Sequence, residues 1–485
     1  MKYSVAIPAH LDSELLNHLI REDGQEDAMF CLWVPSCGKN RYTALLNESI
    51  LPLPKDRDVH GNVTISQEYF LRVLNLAQSK NTGLAFMHSH VGPGWQQMSR
   101  DDVETEEYFA PRTYAVTELP LLGLTVGNDG TWSARFWNKV NGRKYQRDWC
   151  ENIRIVGHKL RMCYNNNLLQ KPEFRPEFER TVTVWGDEIQ AKLMRLKIGI
   201  IGVGGVGSII AETLARMGVM NILLMDFDSV ECINLDRILH ATKKDVGNAK
   251  VKVISRALER SATASKFWVG GLELSVTEPD GFRHALDCDV LFSCVDRPWP
   301  RSVLNFIAYS HLIPVIDGGV QVRVNSEKKL KKANFGAHIA SPYRRCLACL
   351  EQYDPGLVAV EKDGLLDDPS YIRGLPEDSS FRHNENVFSF NLGAASLEIL
   401  QFLSMVVSPH DISNVGAQKH DFVTGNLNQD FGVCEDNCPF PELVALGDRS
   451  GFDVTSRHKV AELARKKREE ASRTSFFDLI RSFFR

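Results

Sequence analysis

Four glycines near the middle of the chain have the spacing of a phosphate-binding turn. They lie in the run Ile-Gly-Val-Gly-Gly-Val-Gly-Ser and are Gly202, Gly204, Gly205 and Gly207. The apolar residues 198–201 before them predict a buried strand, and the spacing of residues 209–217 after them predicts a helix. Such a turn lets the backbone approach a polyphosphate, and the amides and dipole of the helix N-terminus favour its charge. The pattern alone is shared by many dinucleotide-binding enzymes.

The residues downstream indicate which nucleotide this turn would hold. Asp226 ends the next predicted strand, 19 residues after Gly207, where an acid accepts hydrogen bonds from ribose hydroxyls. Asp228 follows closely, and Arg237 and Lys250 come in the loop and helix beyond it. Two cations beside the ribose acid suit a triphosphate better than a nicotinamide dinucleotide.

A further carboxylate follows another predicted strand of the same region. The segment Cys294-Val-Asp296 ends that strand at the carboxyl edge of the sheet, where ligands bind in open α/β folds. A carboxylate beside phosphates is a natural ligand for Mg²⁺. We therefore expect ATP with Mg²⁺ to bind here.

Two histidines and an aspartate near the N-terminus have the types and spacing of a zinc site. Residues 83–90 predict a strand, so His88 and His90 point to the same side with Cα atoms about 6.5 Å apart. Asp102, three residues into the next predicted helix, can turn back as a third ligand, and water in the fourth position would complete a catalytic zinc set. Two alternatives need no metal: Ser99 and Asp102 also spell a helix capping box, and the histidines could be satisfied core residues.

Four cysteines form two short-spaced pairs in the second half of the chain. Cys346 and Cys349 are separated by two residues, and Cys434 and Cys438 by three. Four thiolates in this pattern make a tetrahedral structural zinc site. The alternatives are four unliganded cysteines or a redox pair at the first two positions.

The elements that position these residues fall into an α/β fold with more than one domain. Strand-like runs at 29–34, 83–88 and 121–126 alternate with helical segments at 67–78 and 101–109, which predicts a mixed α/β or α+β domain. Strands and helices then alternate from about residue 180, which predicts a largely parallel, doubly wound, Rossmann-like sheet. The expected division is a first domain at 1–165, a linker at 166–182, a second domain at 183–445 and a helical tail at 446–485.

The composition narrows the function classes. The chain of 485 residues has a net charge of −4, so it lacks the overall positive charge that would indicate binding to nucleic acid. No uninterrupted apolar stretch predicts a membrane span, and no signal-peptide core stands at the N-terminus, so a cytoplasmic location is expected. The eleven cysteines are too sparse for a disulfide scaffold.

The ordered motifs of the second domain resemble the ThiF/MoeB/HesA superfamily, the adenylation domain of ubiquitin-activating enzymes. The resemblance implies transfer of AMP from ATP to the C-terminal carboxylate of a ubiquitin-like protein. It assigns Asp226 to ribose, Asp296 to Mg²⁺, and three residues to the phosphates, namely Asn234, Arg237 and Lys250. Arg180 is placed where the family carries an arginine that reaches the ATP of a partner protomer, which implies a homodimer.

The first domain resembles the JAMM (JAB/MPN+) metalloproteases, with the pattern H-x-H, a spacer and S-x-x-D. The spacer here is eight residues, one longer than usual. The resemblance implies that Glu26, or its competitor Glu48, acts as general base and that Ser99 helps to hold the oxyanion. The implied substrate is the peptide or isopeptide bond after a ubiquitin-like C-terminus.

Together the two resemblances imply a bifunctional enzyme in a bacterial ubiquitin-like modification system, with a link to antiviral defence. The expected partners are a ubiquitin-like protein and a ubiquitin-conjugating-enzyme-like acceptor. Residues 351–433 contain no cysteine, so the region where thioester-forming members of the resembled family carry their cysteine offers no candidate for it. One alternative is an active adenylation domain with an inactive first domain that only binds the partner. Another is a nicotinamide-dependent oxidoreductase. The aromatic end of the tail is expected to dock on the protein, to bind a partner groove or to lie on a membrane surface.

Overall fold

The structure is a computed structural model. It describes all residues except 61, 143, 326, 328, 375–385 and 484–485, and no side chain of residue 62 or of residues 472–485 is described. The chain forms two compact units. The first unit comprises Met1–Lys171, Tyr309–Leu312 and Pro439–Gly451, and the second comprises Pro172–Ala308, Ile313–Cys438 and Phe452–Arg485.

The first unit is built on a mixed nine-stranded sheet with the strand order β11-β10-β1-β3-β2-β6-β7-β8-β9, and β4 and β5 form a separate hairpin. Its helices are α1 (Ala9–Leu19), α2 (Gln67–Ser79) and α3 (Arg100–Thr117). Its strands are β1 (Lys2–Pro8), β2 (Ala28–Cys37), β3 (Arg41–Ile50), β4 (Arg57–His60), β5 (Asn62–Ile65), β6 (Gly83–Ser89), β7 (Leu121–Val126), β8 (Trp132–Asn141), β9 (Lys144–Trp149), β10 (Asn152–Val156) and β11 (Leu160–Tyr164).

Helices cover both faces of this sheet, which explains why central strand β2 is apolar at almost every position. Met29 and Trp33 pack with Leu15 of α1 on one face. Phe30 on the opposite face packs with residues of α2 and of α3, including Phe109. Because alternate residues of a strand point to opposite faces, a strand between two helical layers needs apolar residues on both of its faces.

The second unit contains an eight-stranded sheet with the order β14-β13-β12-β15-β16-β17-β18-β19. Its strands are β12 (Lys197–Ile201), β13 (Asn221–Met225), β14 (Trp268–Leu272), β15 (Val290–Ser293), β16 (Val315–Val324), β17 (Leu330–Ala340), β18 (Ala417–Asp421) and β19 (Asn426–Asp430). Its helices are α4 (Glu179–Trp185), α5 (Asp187–Arg195), α6 (Gly205–Arg216), α7 (Lys250–Ser261), α8 (Pro279–Ala285), α9 (Pro298–Ser310), α10 (Pro355–Lys362), α11 (Pro369–Gly374), α12 (Phe388–Val407) and α13 (Lys459–Phe483).

The sheet is parallel from β14 to β16 and antiparallel from β16 to β19. The α/β fold with a Rossmann-like parallel part is therefore confirmed, and the antiparallel extension is an addition to the expected largely parallel sheet. The segment expected to be a linker contains packed structure, since Phe178 is buried in an apolar cluster with Met194.

Helix α12 bears on the expectation that no uninterrupted apolar stretch predicts a membrane span, because polar residues such as Glu398 interrupt its apolar sequence. Phe388–Val407 is nonetheless long and apolar enough to cross a membrane by length and composition, and more than half of its apolar window is buried inside the protein. Phe402 and Met405 are fully buried, and the ring of Phe402 packs near that of Phe292 of β15. The core helix of a folded domain has the same properties.

Candidate functional sites

The glycine turn connects β12 to α6 in a conformation that requires glycine. Gly202 has a φ of +88°, a region that L side chains rarely adopt. A Cβ atom at Gly207 would lie 2.0 Å from the carbonyl oxygen of Gly202. At Gly204, the residue before α6, a Cβ atom would meet no other atom within 4 Å. The turn is therefore tight on its inner side and open where a ligand would approach.

Asp226 connects the glycine turn to the loop after β13. Its carboxylate is buried and accepts hydrogen bonds from the backbone N–H groups of Val203 and Asp228, each at 2.8 Å. Burial raises the pKa of Asp226, against the opposing effect of the Lys250 cation. The acid predicted to bind ribose thus stands beside the turn predicted to bind phosphate.

Of the predicted phosphate-binding cations, Lys250 lies at the same sheet edge and Arg237 is placed near the glycine turn by its backbone, while its guanidinium donates to the carbonyl of Ile233 and to Asp236. Lys250, at the start of α7, donates to Asp228 at 2.8 Å. Burial alone would lower the pKa of Lys250, but the charges of Asp226 and Asp228 outweigh it, and the pKa is raised. Asp296, which is exposed just after β15, contributes to the same shift. The backbone carbonyl of Arg237 lies 3.5 Å from where a Cβ of Gly205 would stand.

Two predicted residues of this site have a more peripheral placement. Asn234 ends a short 3₁₀ turn, and its side-chain oxygen accepts from the backbone N–H of Glu231. Arg180 lies on α4 with an exposed side chain, and none of the described contacts joins it to the glycine turn. The expectation that Arg180 serves the nucleotide of a partner protomer stays a prediction.

Asn391 of α12, which lies behind the glycine turn, was not predicted from the sequence. Its side chain is fully buried, and its amide nitrogen lies 2.3 Å from the position of a Cβ at Gly205. Within the described part of the chain neither polar atom of this amide has a hydrogen-bond partner. A buried amide without partners is costly, so its place beside the turn fits a site that receives a polar ligand. No local signal could have found it, because it lies 186 residues from Gly205 in the sequence.

The predicted zinc ligands of the first unit converge. The Nε2 atoms of His88 and His90 are 3.2 Å apart. His88 Nε2 lies 3.3 Å from Asp102 Oδ1, and His90 Nε2 lies 3.3 Å from the other carboxylate oxygen, Oδ2. Ligand atoms at about 2.05 Å from a tetrahedral zinc ion are separated by about 3.3 Å, so the two histidine nitrogens already have the spacing of two zinc ligands, and the carboxylate lies beside both. All three side chains are at most 15% exposed.

The fold explains why these ligands meet. His88 comes two residues after Phe86 on β6, so both side chains point to the sheet face that α3 covers. Asp102 lies in the first turn of α3, where it also accepts from the backbone N–H of Ser99 at 2.6 Å while Ser99 Oγ accepts from Asp102 N–H. The capping box and the three-ligand cluster therefore coexist. Burial would raise the pKa of Asp102, but the histidines outweigh it and hold the pKa below its usual range.

The two candidate general bases have different positions. Ala28 pairs with His88, and Asp27 exchanges hydrogen bonds with Ser89, so the antiparallel register brings Glu26 opposite His90. The negative charge of Glu26 contributes to the raised pKa of His90, after the larger effect of Asp102. Glu48 instead pairs with Lys80 at 2.5 Å. The geometry favours Glu26.

The four paired cysteines also converge, within the second unit. Their sulfur atoms all lie within 4.8 Å of one another, and those of Cys346 and Cys438 are 3.7 Å apart. Thiolates at 2.3 Å from a tetrahedral zinc ion would be about 3.8 Å apart, whereas a disulfide needs about 2 Å. The backbone N–H of Cys346 donates to Cys434 and that of Cys349 donates to Cys346. The arrangement fits a structural zinc.

The glycine turn, the buried acid beside it and the parallel sheet define a Rossmann-like nucleotide-binding domain. Residues 178–362 match the model of the ThiF family.

Among its relatives is ubiquitin-like modifier-activating enzyme 5 of Xenopus laevis, 31% identical over 24% of this chain and 31% of that protein. Another is tRNA threonylcarbamoyladenosine dehydratase of Escherichia coli (strain K12), 36% identical over 30% of this chain and 54% of that protein. The matches therefore span between about a third and a half of those relatives. A solved structure, E. coli MccB with succinimide, is 20% identical, with a TM-score of 0.42 over 55% of this chain and 74% of that one.

Proposed function

We propose that the second unit adenylates the C-terminal carboxylate of a ubiquitin-like protein. The observation that carries this proposal is the convergence of the buried ribose acid Asp226, the cation Lys250 and the carboxylate Asp296 around a glycine turn that is open at Gly204. A nicotinamide dinucleotide would leave Lys250 and Asp296 without a role. The relatives named as ubiquitin-like modifier-activating enzymes support the choice of substrate.

Adenylation requires the residues of the site to hold two anions close together, namely the substrate carboxylate and the phosphates of ATP. A carboxylate oxygen of the substrate attacks the α-phosphorus of ATP, the bond from that phosphorus to the bridging oxygen breaks, and pyrophosphate leaves. Lys250 and Arg237 would neutralise the phosphates, and Asp296 would hold the Mg²⁺ that accompanies the leaving group. The amides at the start of α6 would orient the phosphates. Positioning and charge neutralisation supply most of such a rate enhancement.

ATP–pyrophosphate exchange, with a small β-grasp protein as the carboxylate donor, tests this function. The Asp296→Ala variant is expected to lose exchange, whereas Asp363→Ala, which removes an exposed carboxylate at the end of α10, is expected to keep it. Exchange that survives in Asp296→Ala would remove the proposed magnesium role. Mass spectrometry of the same mixtures would detect an AMP adduct, a thioester or a shortened tail on the β-grasp protein.

A second activity, zinc-dependent cleavage after the ubiquitin-like C-terminus, is proposed for the first unit because of the three-ligand cluster of His88, His90 and Asp102. Zinc at this site would supply a Lewis acid and an activated water. Glu26 would accept the proton of the attacking water, and Ser99 Oγ, which accepts from Asp102 N–H, would donate its own proton to the oxyanion. The two activities would act on one C-terminus in a bacterial ubiquitin-like modification system. A first unit that only binds this partner is the alternative.

A further inference from the structure

We infer that residues 454–468, here called the C-terminal brace, hold the two loops that carry the nucleotide-binding acids in their working positions. One loop follows β13 and contains Asp226 and Asp228, and the other follows β15 and contains Asp296. The inference rests on the proposed ATP site. It gives the C-terminal segment a function in nucleotide affinity, in addition to its packing.

The first connection runs from α13 to the ribose loop. Arg468 donates through Nη1 to Ser229 Oγ at 3.0 Å and through Nε to Glu273 at 2.8 Å. Ser229 comes directly after Asp228, which itself accepts from Lys250. The Arg468 side chain is only 14% exposed, so these bonds compete little with water. Arg468 is therefore a positioning residue for the ribose loop.

The second connection is an aromatic cluster that touches the ribose loop and the first turn of α9, which directly follows the loop of Asp296. The ring of His458 packs edge-on against Phe227, with centroids 5.1 Å apart, and against Trp299, at 5.4 Å. Phe227 stands between the two acids of the ribose loop, and Trp299 lies three residues after Asp296. The indole N–H of Trp299 also donates to the backbone carbonyl of Val454 at 3.0 Å. One short segment thus contacts the ribose loop and the helix start that follows the loop of Asp296.

The brace is itself anchored on a part of the unit outside these loops. Arg465 pairs with both oxygens of Glu278 and donates to the backbone carbonyl of Glu273. The backbone N–H of Ser456 donates to the carbonyl of Thr277 at 2.9 Å. Ala461 is fully buried. Because these anchors do not involve the ribose loop, loss of the Arg468–Ser229 bond should loosen the loop while α13 stays docked.

The test is a double-mutant cycle on MgATP affinity in the full chain, with Arg468→Ala, Ser229→Ala and the double variant. Each single variant is expected to weaken MgATP binding about tenfold, the size expected for one lost hydrogen bond to a charged group. The double variant should bind no more weakly than the weaker single variant, because both remove the same bond. Lys467→Ala, an exposed position on the same helix, is the matched control and should bind as the wild type does.

Two further measurements separate positioning from stability. Without nucleotide, the melting temperature of Ser229→Ala should equal that of the wild type, and Arg468→Ala should change little, because Lys252 still pairs with Glu273 at 2.5 Å. At saturating ATP the exchange rate of both variants should recover, so that the KM for ATP changes and kcat does not.

Unchanged or tighter MgATP binding in Arg468→Ala, or strictly additive losses in the double variant, would overturn the inference. Failure of the wild type to bind MgATP would instead refute the proposed function on which it rests.

Discussion

Replacing Asp102 with asparagine separates the two roles that this carboxylate has in the first unit. Asp102 caps α3 by accepting from Ser99 N–H, and it faces the Nε2 atoms of His88 and His90. An asparagine oxygen can still accept the capping bond, but the neutral amide is a poor zinc ligand. The opposite change, Ser99→Ala, removes the hydroxyl that accepts from Asp102 N–H and keeps all three candidate ligands.

The structure sets the expected magnitudes. Mutation even of a residue that only supports a zinc ligand costs 10- to 100-fold in affinity, so loss of the Asp102 carboxylate should cost at least about 100-fold, or about 2.7 kcal/mol. Ser99→Ala should cost about 1 kcal/mol of stability, which is typical of a lost N-cap, and should leave zinc affinity near that of the wild type.

Zinc content by mass spectrometry, after dialysis against a weak chelator, is the assay. The wild type should hold two zinc ions per chain, Ser99→Ala two, Asp102→Asn one, and Cys438→Ser one, because that variant breaks only the four-cysteine cluster. Two zinc ions in Asp102→Asn would show that the Asp102 carboxylate is not a required zinc ligand. One zinc ion in the wild type and none in Cys438→Ser would show that the histidine cluster is a capped helix end beside core histidines and no metal site.

Two further predictions concern the second unit. Gly204→Ala should leave the melting temperature unchanged but weaken MgATP binding at least tenfold, because its Cβ enters open space in front of the turn. Gly207→Ala should instead cost about 1–3 kcal/mol of stability, because its Cβ clashes with Gly202. Equal stability of the two variants would contradict this account. Burial raises the pKa of Glu361, whose carboxylate accepts from the backbone N–H of Trp299, from 4.5 to about 7. Between these pH values the folded state keeps a proton that the unfolded chain has lost, so the free energy of unfolding falls as pH rises. Glu361→Gln should therefore gain up to about 3 kcal/mol over the wild type at pH 8 and nothing at pH 4 in urea unfolding, and an equal effect at both pH values would refute the assignment.

Periodicity and motif spacing predicted the central elements of both units well. The predicted strands at 83–88 and 121–126 lie within β6 and β7, and the predicted helix at 67–78 lies within α2. These segments have a clear period or strong boundaries such as Ser66, whose hydroxyl caps α2. The helix predicted at 101–109 continues to Thr117, through Pro111, because packing on the sheet outweighs the local cost of proline.

Contacts between residues far apart in the sequence could not be predicted in the same way. The ligand cluster of the first unit was predicted because His88, His90 and Asp102 lie within fifteen residues of one another. Asn391 and the C-terminal brace reach the nucleotide loops only through tertiary packing, and nothing in their local sequence indicates it. The burial of Glu361 on α10 could not be predicted from local sequence either, because its carboxylate caps the start of another helix, α9, which precedes α10 in the chain.

Calorimetric titration of the full chain with ATP and Mg²⁺, and separately with NADH, tests the central claim most directly. We predict saturable ATP binding, one site per chain, that is strengthened by Mg²⁺ and loses this Mg²⁺ dependence in Asp296→Ala. Tight binding of NADH with no heat from ATP and Mg²⁺ would contradict the account.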